Sequence, residues 1–272
     1  MTEPVLPQQG LFVTGTDTEV GKTWVSAHIL RHFRDFFQRE KNASRKNGGD
    51  PSARPHLKAH ASKVTSADST TLPDHGRGRL HRACARKPVL SGAAFDGLCL
   101  RGEDAVRLAA ATGEPMEQVC RFQFAAPISP ARAAREAGMD TTLPRLLEAC
   151  KAPSDGWTLV EGAGGFLSPL GSDSSLNADL AATLGLPVLL VARLKLGCIN
   201  HTLLTLEAIE HRGLRCAGIV LNDLHDRRDA ATHKEMAQLA GCAITLMPHG
   251  RPGPDWADWL NSLELVAQTH TR

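Results

Sequence analysis

The chain has 272 residues, with 31 Lys+Arg against 29 Asp+Glu, a formal net charge of +2. This length suits one large α/β domain or two small ones, and so small a charge gives no whole-chain attraction to nucleic acid or to a membrane surface. Hydrophobic residues make up 42% of it, enough for a sizeable core, yet no apolar stretch is long enough to span a bilayer. The cysteines (Cys84, Cys99, Cys120, Cys150, Cys198, Cys216, Cys242) are odd in number, scattered, and never spaced Cys-x-x-Cys. A disulfide framework or zinc site is therefore not expected, and a reducing compartment is the natural setting. Residues Met1 to Gly10 lack the apolar core of a signal peptide. A cytoplasmic location is expected.

The first strand is the apolar run Leu11–Val13, and the most informative residues follow it. Thr14 to Thr23 read Thr-Gly-Thr-Asp-Thr-Glu-Val-Gly-Lys-Thr, then a helical pattern opens at Trp24, Val25, Ala27, Ile29 and Leu30. Strand, glycine-rich loop, Gly-Lys-Thr and helix are the layout of a nucleotide phosphate site. Loop amides and the helix N-terminus attract phosphate oxygens. Lys22 reaches the β/γ-phosphates of such a ligand, and the Thr23 hydroxyl faces Mg²⁺. Five residues separate Gly15 from Gly21, one more than usual, and the loop carries two acids, Asp17 and Glu19.

From Gln38 to about Arg79 the composition turns to Ser, Gly, Pro, Asn, His, Lys and Arg. Between Gln38 and Arg86 stand eleven Lys+Arg and four Asp+Glu, leaving the remainder of the chain at −5. Such a segment buries too little apolar surface to offset its ordering entropy. Residues 39–80 are expected to be a basic, disordered surface insertion at the rim opposite the active site. The alternative, a basic arm for nucleic acid, lacks aromatic residues to stack on bases.

A short strand at about Ala83–Arg86 leads to Lys87-Pro88-Val89-Leu90-Ser91-Gly92. Pro88 stops strand pairing and Gly92 permits a turn. Lys87, at a strand end, can neutralise phosphoryl charge. Asp104 opens a helix expected over Asp104–Ala111. Trp157–Val160 is the next strand, and Glu161 follows it before Gly162-Ala163-Gly164-Gly165. An acid there, beside a phosphate loop, is positioned to bind Mg²⁺ directly or through water; a helix cap or solvated loop acid is the plainer alternative. The strands Pro187–Ala192, Ala217–Leu221 and Ala243–Met247 alternate with helical spacing over Leu176–Leu184, Ile199–His211 and Ala230–Leu239. Continuous apolar strands separated by helices predict an α/β fold with a single, doubly wound, mostly parallel sheet, P-loop NTPase-like, over residues 1–272. Ligands of such sheets sit at the carboxyl ends of the strands, which puts the loops after Val13, Val160, Ala192 and Leu221 on one rim. Near the end, Trp256, Trp259, Leu260, Leu263 and Val266 recur at helical spacing, and Asp255, Asp258 and Glu264 favour packing on the domain over a membrane.

These motifs together resemble the ATP-dependent dethiobiotin synthetases. Phe12 to Thr23 is similar to that family's phosphate loop, extra residue included. Lys87-Pro88-Val89 with Ser91-Gly92, the segment Phe124-Ala125-Ala126-Pro127-Ile128-Ser129-Pro130, Val160 to Gly165, and Lys195-Leu196-Gly197-Cys198-Ile199-Asn200-His201 resemble four further motifs in family order. The resemblance implies that CO2 is captured on one amine of 7,8-diaminopelargonic acid as a carbamate, which takes the γ-phosphate of ATP before the second amine closes the ring. It implies ATP contacts at Thr16, Asp17, Thr18, Glu19, Val20, Gly21, Lys22, Thr23, Asn222 and Pro248, with the loop Pro248–Pro252 flanking the base. It implies catalytic roles for Lys22, Lys87, Thr18 and Glu19, and Mg²⁺ held by Thr23, Asp104 and Glu161. The diamine would meet Ser91, Gly164, Gly197, Cys198, Ile199 and Asn200, the last four from a second subunit. That implies a homodimer with active sites at the interface, and no nucleic-acid or membrane partner. Two departures stand out: about 40 residues where the family has a few between the first helix and the Lys-Pro-Val strand, and His249-Gly250-Arg251-Pro252-Gly253 where its adenine loop would lie.

Two other readings use the same scaffold. An amidoligase resembling the cobyrinic acid a,c-diamide synthases needs a glutaminase with a nucleophilic cysteine, and no cysteine here sits in such a context. A partitioning or septum-positioning switch ATPase carries a second lysine early in the phosphate loop; Gly15-Thr16-Asp17 has none.

Overall fold

The computed structural model describes residues 4–46, 80–224, 229–248, 251–253 and 255–263. Its elements in chain order begin with β1 (Pro4–Val5), β2 (Gly10–Gly15), α1 (Lys22–Lys46), β3 (Arg82–Arg86), β4 (Val89–Ser91), β5 (Ala94–Phe95) and β6 (Leu100–Arg101). There follow α2 (Glu103–Thr112), α3 (Met116–Val119), β7 (Phe122–Phe124), α4 (Pro130–Glu136), α5 (Leu143–Ala149), β8 (Ala152–Pro153) and β9 (Gly156–Gly165). The remainder is α6 (Asn177–Leu184), β10 (Val188–Arg193), α7 (Cys198–His211), β11 (Cys216–Asp223), α8 (Ala230–Leu239), β12 (Ile244–Pro248) and α9 (Trp256–Ser262).

Six strands form the central sheet in the order β12-β11-β10-β2-β9-β3, and every adjacent pair is parallel. The reason is legible in the strands themselves. Leu11–Thr14, Trp157–Val160 and Val188–Ala192 are buried on both faces, and a two-faced apolar run can be satisfied only when helices cover both sides. Alternation then sorts the side chains. Leu11, Val13, Leu189, Val191 and Val220 face a core with α1 and α9. Phe12, Val160 and Val188 face the opposite layer with α5 and α6, and Leu190, Ala192, Ile219 and Leu221 pack there against α7 and α8. The sheet is doubly wound, as the alternating sequence predicts.

Helix α1 packs Val25, Ile29, Leu30, Phe33 and Phe37 inward, and Phe33 stacks on Trp157 with ring centroids 4.0 Å apart. It is longer than expected. The segment 39–80 was expected to leave the fold at residue 39, whereas residues 39–46 continue the helix. Arg39, Glu40, Lys41 and Ala43 are good helix formers on a turn already nucleated by packing, so polar composition alone misplaces the boundary. Residues 47–79, the bulk of that segment, lie outside the described residues. The chain re-enters at the amino-terminal rim, where the His81 N–H donates to Asp155 O at 2.9 Å. The C-terminal helical pattern is realised as α9: Trp256, Trp259, Leu260 and Leu263 are buried in the α1-side core, while Val266 lies outside the described residues. Among the described residues no helix is long and apolar enough to cross a membrane.

Candidate active site

The site is built where β2, β9 and β3 end. In register, Val13 stands opposite Glu161 and Arg86 opposite Val160, so Lys87 and Glu161 leave the sheet side by side. Pro88 has no N–H to extend the ladder, and the Lys87 N–H turns away to Val119 O at 2.7 Å. The chain then runs as β4 beside β7. Helix α2 brings Asp104 in its first turn to the same point.

One carboxylate oxygen gathers the cluster. Glu161 Oε1 accepts from Thr23 Oγ1 at 2.7 Å and from Lys87 Nζ at 2.7 Å, and Lys87 Nζ also pairs with Asp104 Oδ2 at 3.0 Å. Glu161 is fully buried, and its second oxygen, Oε2, is buried with no protein partner. The plainer alternative of a solvated loop acid is therefore wrong: β9 continues through Gly165, and Glu161 points into the protein. Burial alone would lower the Lys87 ammonium; the charges of Glu161 and Asp104 outweigh it and push its pKa above the ordinary lysine value. Burial alone would likewise raise the Asp104 carboxyl, but the charge of Lys87 and hydrogen bonds from Thr23 and Lys87 hold it below the usual range. Among the described residues Lys22 is in direct contact with no carboxylate, and the charges of Glu161, Asp104 and Asp17 offset only part of its burial. Desolvation, reinforced by the nearby Lys87 charge, lowers it to about 8.

The phosphate loop is held open from below. Asn222 is fully buried and its Nδ2 donates to Val20 O at 2.9 Å. A Cβ on Gly21, at φ +92°, would lie 2.0 Å from that nitrogen, so only glycine lets loop and amide approach this closely. Glu19 carries positive φ, 54°, and Lys22 Nζ curls back to Asp17 O at 3.1 Å. The Asp17 carboxylate caps the Thr18 N–H at 2.7 Å. Thr16, Asp17, Thr18 and Glu19 are thus at the accessible tip, with Val20 buried beneath. A cavity of about 280 Å³ opens between this loop and α2, lined by Glu19, Gly21, Lys22, Thr23, Trp24, Glu103, Asp104 and Arg107.

The remaining expected residues fall into three places. Ser91 Oγ donates to Ile128 O at 2.5 Å, and the Gly92 N–H to Ala126 O at 3.1 Å, so these two motifs form one tied surface. Gly164, at φ +78°, would carry a Cβ 3.8 Å from Thr18 Cγ2, which sets its loop against the phosphate-loop tip. Gly197, Cys198, Ile199 and Asn200 open α7 after β10, a strand two places from β9 in the sheet, and Leu196 before them is fully exposed. Pro248 ends β12 opposite Asp223, and residues 249–250 of the expected base loop lie outside the described residues.

Sequence reasoning missed Asn177. Fully buried at the start of α6, it accepts from Ala163 N at 3.0 Å and aims Nδ2 at Ala163 O (2.6 Å), Gly165 O (3.0 Å) and Ser168 O (3.3 Å). It fixes the glycine-rich end of β9 from behind. A short amide at a first-turn position reads as a helix cap, and only the long-range bonds reveal otherwise.

Two carboxylates and a hydroxyl, with one carboxylate oxygen unpartnered, are a donor set for a hard cation that keeps phosphate or water ligands, not for an all-protein cage. Beside them are two lysines and a helix N-terminus, which suit a polyphosphate. A wholly parallel sheet with this cradle at its central strand defines the class: a P-loop nucleotide-binding α/β protein. Comparison with known proteins narrows it. Residues 82–245 match the family described as AAA domain. An ATP-dependent dethiobiotin synthetase of Anaeromyxobacter dehalogenans is 40% identical over 238 residues, covering 85% of this chain and 84% of the relative. That of Ralstonia nicotianae is 38% identical over 216 residues, covering 78% and 75%. A solved ParA family ATPase of Chlorobium tepidum aligns over 98% of this chain and 94% of its own with 11% identity and a TM-score of 0.45, too low a similarity to bear on fold or function. The chain belongs to the ATP-dependent dethiobiotin synthetase family and is an ATP-dependent ligase of that kind.

Proposed function

We propose that this ligase joins CO2 to 7,8-diaminopelargonic acid in biotin synthesis, using ATP and forming dethiobiotin, ADP and phosphate. One amine attacks CO2 and loses a proton to give a carbamate. A carbamate oxygen displaces ADP from the γ-phosphorus, making a carbamic–phosphoric anhydride. The second amine attacks the carbonyl carbon, phosphate leaves with the bonding pair, the amine nitrogen gives up a proton to phosphate or water, and the cyclic urea closes. The observation that carries this reading is the Lys87–Glu161–Asp104–Thr23 cluster beside Lys22.

Each step accumulates negative charge at one place. Lys22, extending over the phosphate loop, is suited to the β/γ-phosphates. Lys87, anchored by two acids, is suited to the transferring phosphoryl group and the carbamate, and its fixed position avoids reorganisation during reaction. Thr18 and Glu19 at the loop tip border the reacting groups. Thr23, Asp104 and Glu161 would hold Mg²⁺, which supplies charge neutralisation to the triphosphate when bound. Ser91 and Gly164 flank the diamine. We assign Gly197, Cys198, Ile199 and Asn200 of a second subunit to its carboxylate tail, at the N-terminus of a 14-residue helix; the exposed Leu196 beside them supports an interface there.

The test is ADP release with ATP, Mg²⁺ and bicarbonate, with and without the diamine, and mass spectrometry for dethiobiotin. Diamine-dependent release with product supports the reading. Release without diamine, or release stimulated by DNA or lipid instead, overturns it. For the interface, Asn200→Asp and Lys22→Ala proteins, each inactive alone, should regain part of the activity on mixing; failure to do so refutes a shared site.

A further inference from the structure

At the amino-terminal end of the sheet, far from the phosphate loop, the structure brings two thiols together. Cys216 begins β11, and Cys242 precedes β12 by two residues. The Ile219 N–H donates to Ala243 O at 2.9 Å, fixing the two segments side by side. A bulge supplies the aim. Val188 of β10 faces Cys216, but the next residue, Leu189, faces Gly218. The extra residue, Ala217, packs on the α1 side, while Cys216 turns to the other side with Ile219, Leu221 and Cys242. Bulges re-aim side chains in this way. The two Sγ atoms are 3.9 Å apart, and both residues are half-buried rather than sealed.

We infer that Cys216 and Cys242 form an oxidation site, a dithiol that closes to a disulfide when a peroxide reaches the sheet edge. The bond from Ile219 to Ala243 ties the two segments together and the sulfurs already touch, so closing to the disulfide length of about 2.0 Å calls for side-chain rotation and a small shift of the segment before β12. Cys242 Sγ donates to Cys216 Sγ across this contact, so one proton lies between the two sulfurs and they titrate as a pair. Cys242 lies between the exposed Gly241 and Ala243, whereas Cys216 runs straight into the buried Ala217, so Cys242 is the sulfur a peroxide reaches and the attacking group. Its thiolate displaces one oxygen of hydrogen peroxide, giving a sulfenic acid and, after proton uptake, water. The Cys216 sulfur then attacks the sulfenic sulfur, and the S–OH oxygen leaves as a second water. Two thiols are oxidised by two electrons and one peroxide is reduced to two waters. The contrast within the chain is chemical: Cys84, Cys120 and Cys150 are buried, and desolvation pushes each up to about 12.

The bond would close a ring from Cys216 to Cys242 around α8, at the end of β11 opposite Asn222. It would tighten that edge of the sheet and leave Lys22, Lys87 and Glu161 untouched. The test uses the full chain carrying Cys99→Ser, which removes the exposed competitor. Protein is treated with hydrogen peroxide, alkylated and mapped by mass spectrometry without reduction. We expect the linked Cys216–Cys242 peptide, a rise in melting temperature of about 5 °C, and reversal of both by dithiothreitol. Adding Cys242→Ser should abolish the rise. Both thiols remaining free at tenfold excess oxidant, or a sulfinic acid at Cys242 without the linked peptide, would overturn the proposal.

Discussion

Replacing Asn177 by aspartate keeps the shape of the side chain and changes one group, the Nδ2 donor. That nitrogen has two hydrogens and serves carbonyls of Ala163, Gly165 and Ser168 at 2.6, 3.0 and 3.3 Å. A carboxylate donates nothing and sets charge against all three oxygens. Two lost buried hydrogen bonds at about 1.5 kcal/mol each amount to about 3 kcal/mol. A protonated carboxyl has one donor hydrogen, so protonation recovers one of the two bonds and removes the charge, which raises the pKa of the new carboxyl above the ordinary aspartate value. The folded value then exceeds the unfolded one. The recovered part is fully present below the unfolded value of about 4 and is lost as the pH rises through the higher folded value. The assay is urea unfolding of wild type and Asn177→Asp followed by tryptophan fluorescence, at about pH 4.5 and about pH 8. The deficit should be about 1.5 kcal/mol at the lower pH, where one donor is restored, and about 3 kcal/mol at the higher. An equal deficit at both, or none at either, would refute the assignment of the three carbonyls to this donor.

Further predictions follow from the same geometry. Lys87→Ala should abolish turnover while ATP binding, read by calorimetry, is largely retained. It should also lower stability by about 3 kcal/mol because Glu161 is left buried and unpaired; Lys87→Ala/Glu161→Ala should be more stable than Lys87→Ala alone, and simple additivity in denaturant melts would contradict the pairing. Gly21→Ala, whose Cβ would lie 2.0 Å from Asn222 Nδ2, should lose nucleotide binding, whereas Gly185→Ala, also at positive φ but with open space, should cost about 1 kcal/mol and leave binding intact. Asp179 is buried enough that desolvation alone would raise its pKa, but the Leu176 N–H and Arg212 outweigh this and hold it low. Asp179→Ala should therefore cost about 1 kcal/mol at neutral pH, and the difference from wild type should vanish in melts taken as the pH falls through the acid carboxylate range.

Much of the fold was legible because two-faced apolar strands admit few arrangements. Leu11–Val13, Pro187–Ala192 and Ala217–Leu221 announced themselves, and with them the rim on which a site forms. The residues Thr23, Lys87, Asp104 and Glu161 meet, with Lys22 close by, because each follows a strand end or opens a helix. What the sequence hid was long-range. Composition ended α1 eight residues early, since its last two turns are polar and carry no periodic signal. Gly162–Gly165 read as a loop, yet after an irregularity the pairing with β2 resumes at Gly165 opposite Gly15. Asn222 was expected to face a base, and no pattern in the sequence marked that its Nδ2 also donates to Val20 O beneath the loop. The Cys216–Cys242 contact depends on a bulge that no pattern in the sequence marks.

The strand order has a consequence for how the molecule can be divided. A chain severed between Lys46 and Leu80 would part into a short piece, with β2 and α1, and a long piece holding the other five strands of the sheet. The short piece owns Lys22 and Thr23; the long one owns Lys87, Asp104 and Glu161. Because β2 lies between β9 and β10, the short piece is an interior slat rather than an appendage. Neither half could complete the sheet or the cradle by itself, and recovery of catalysis on mixing would report their reunion, making this chain a natural two-part reporter.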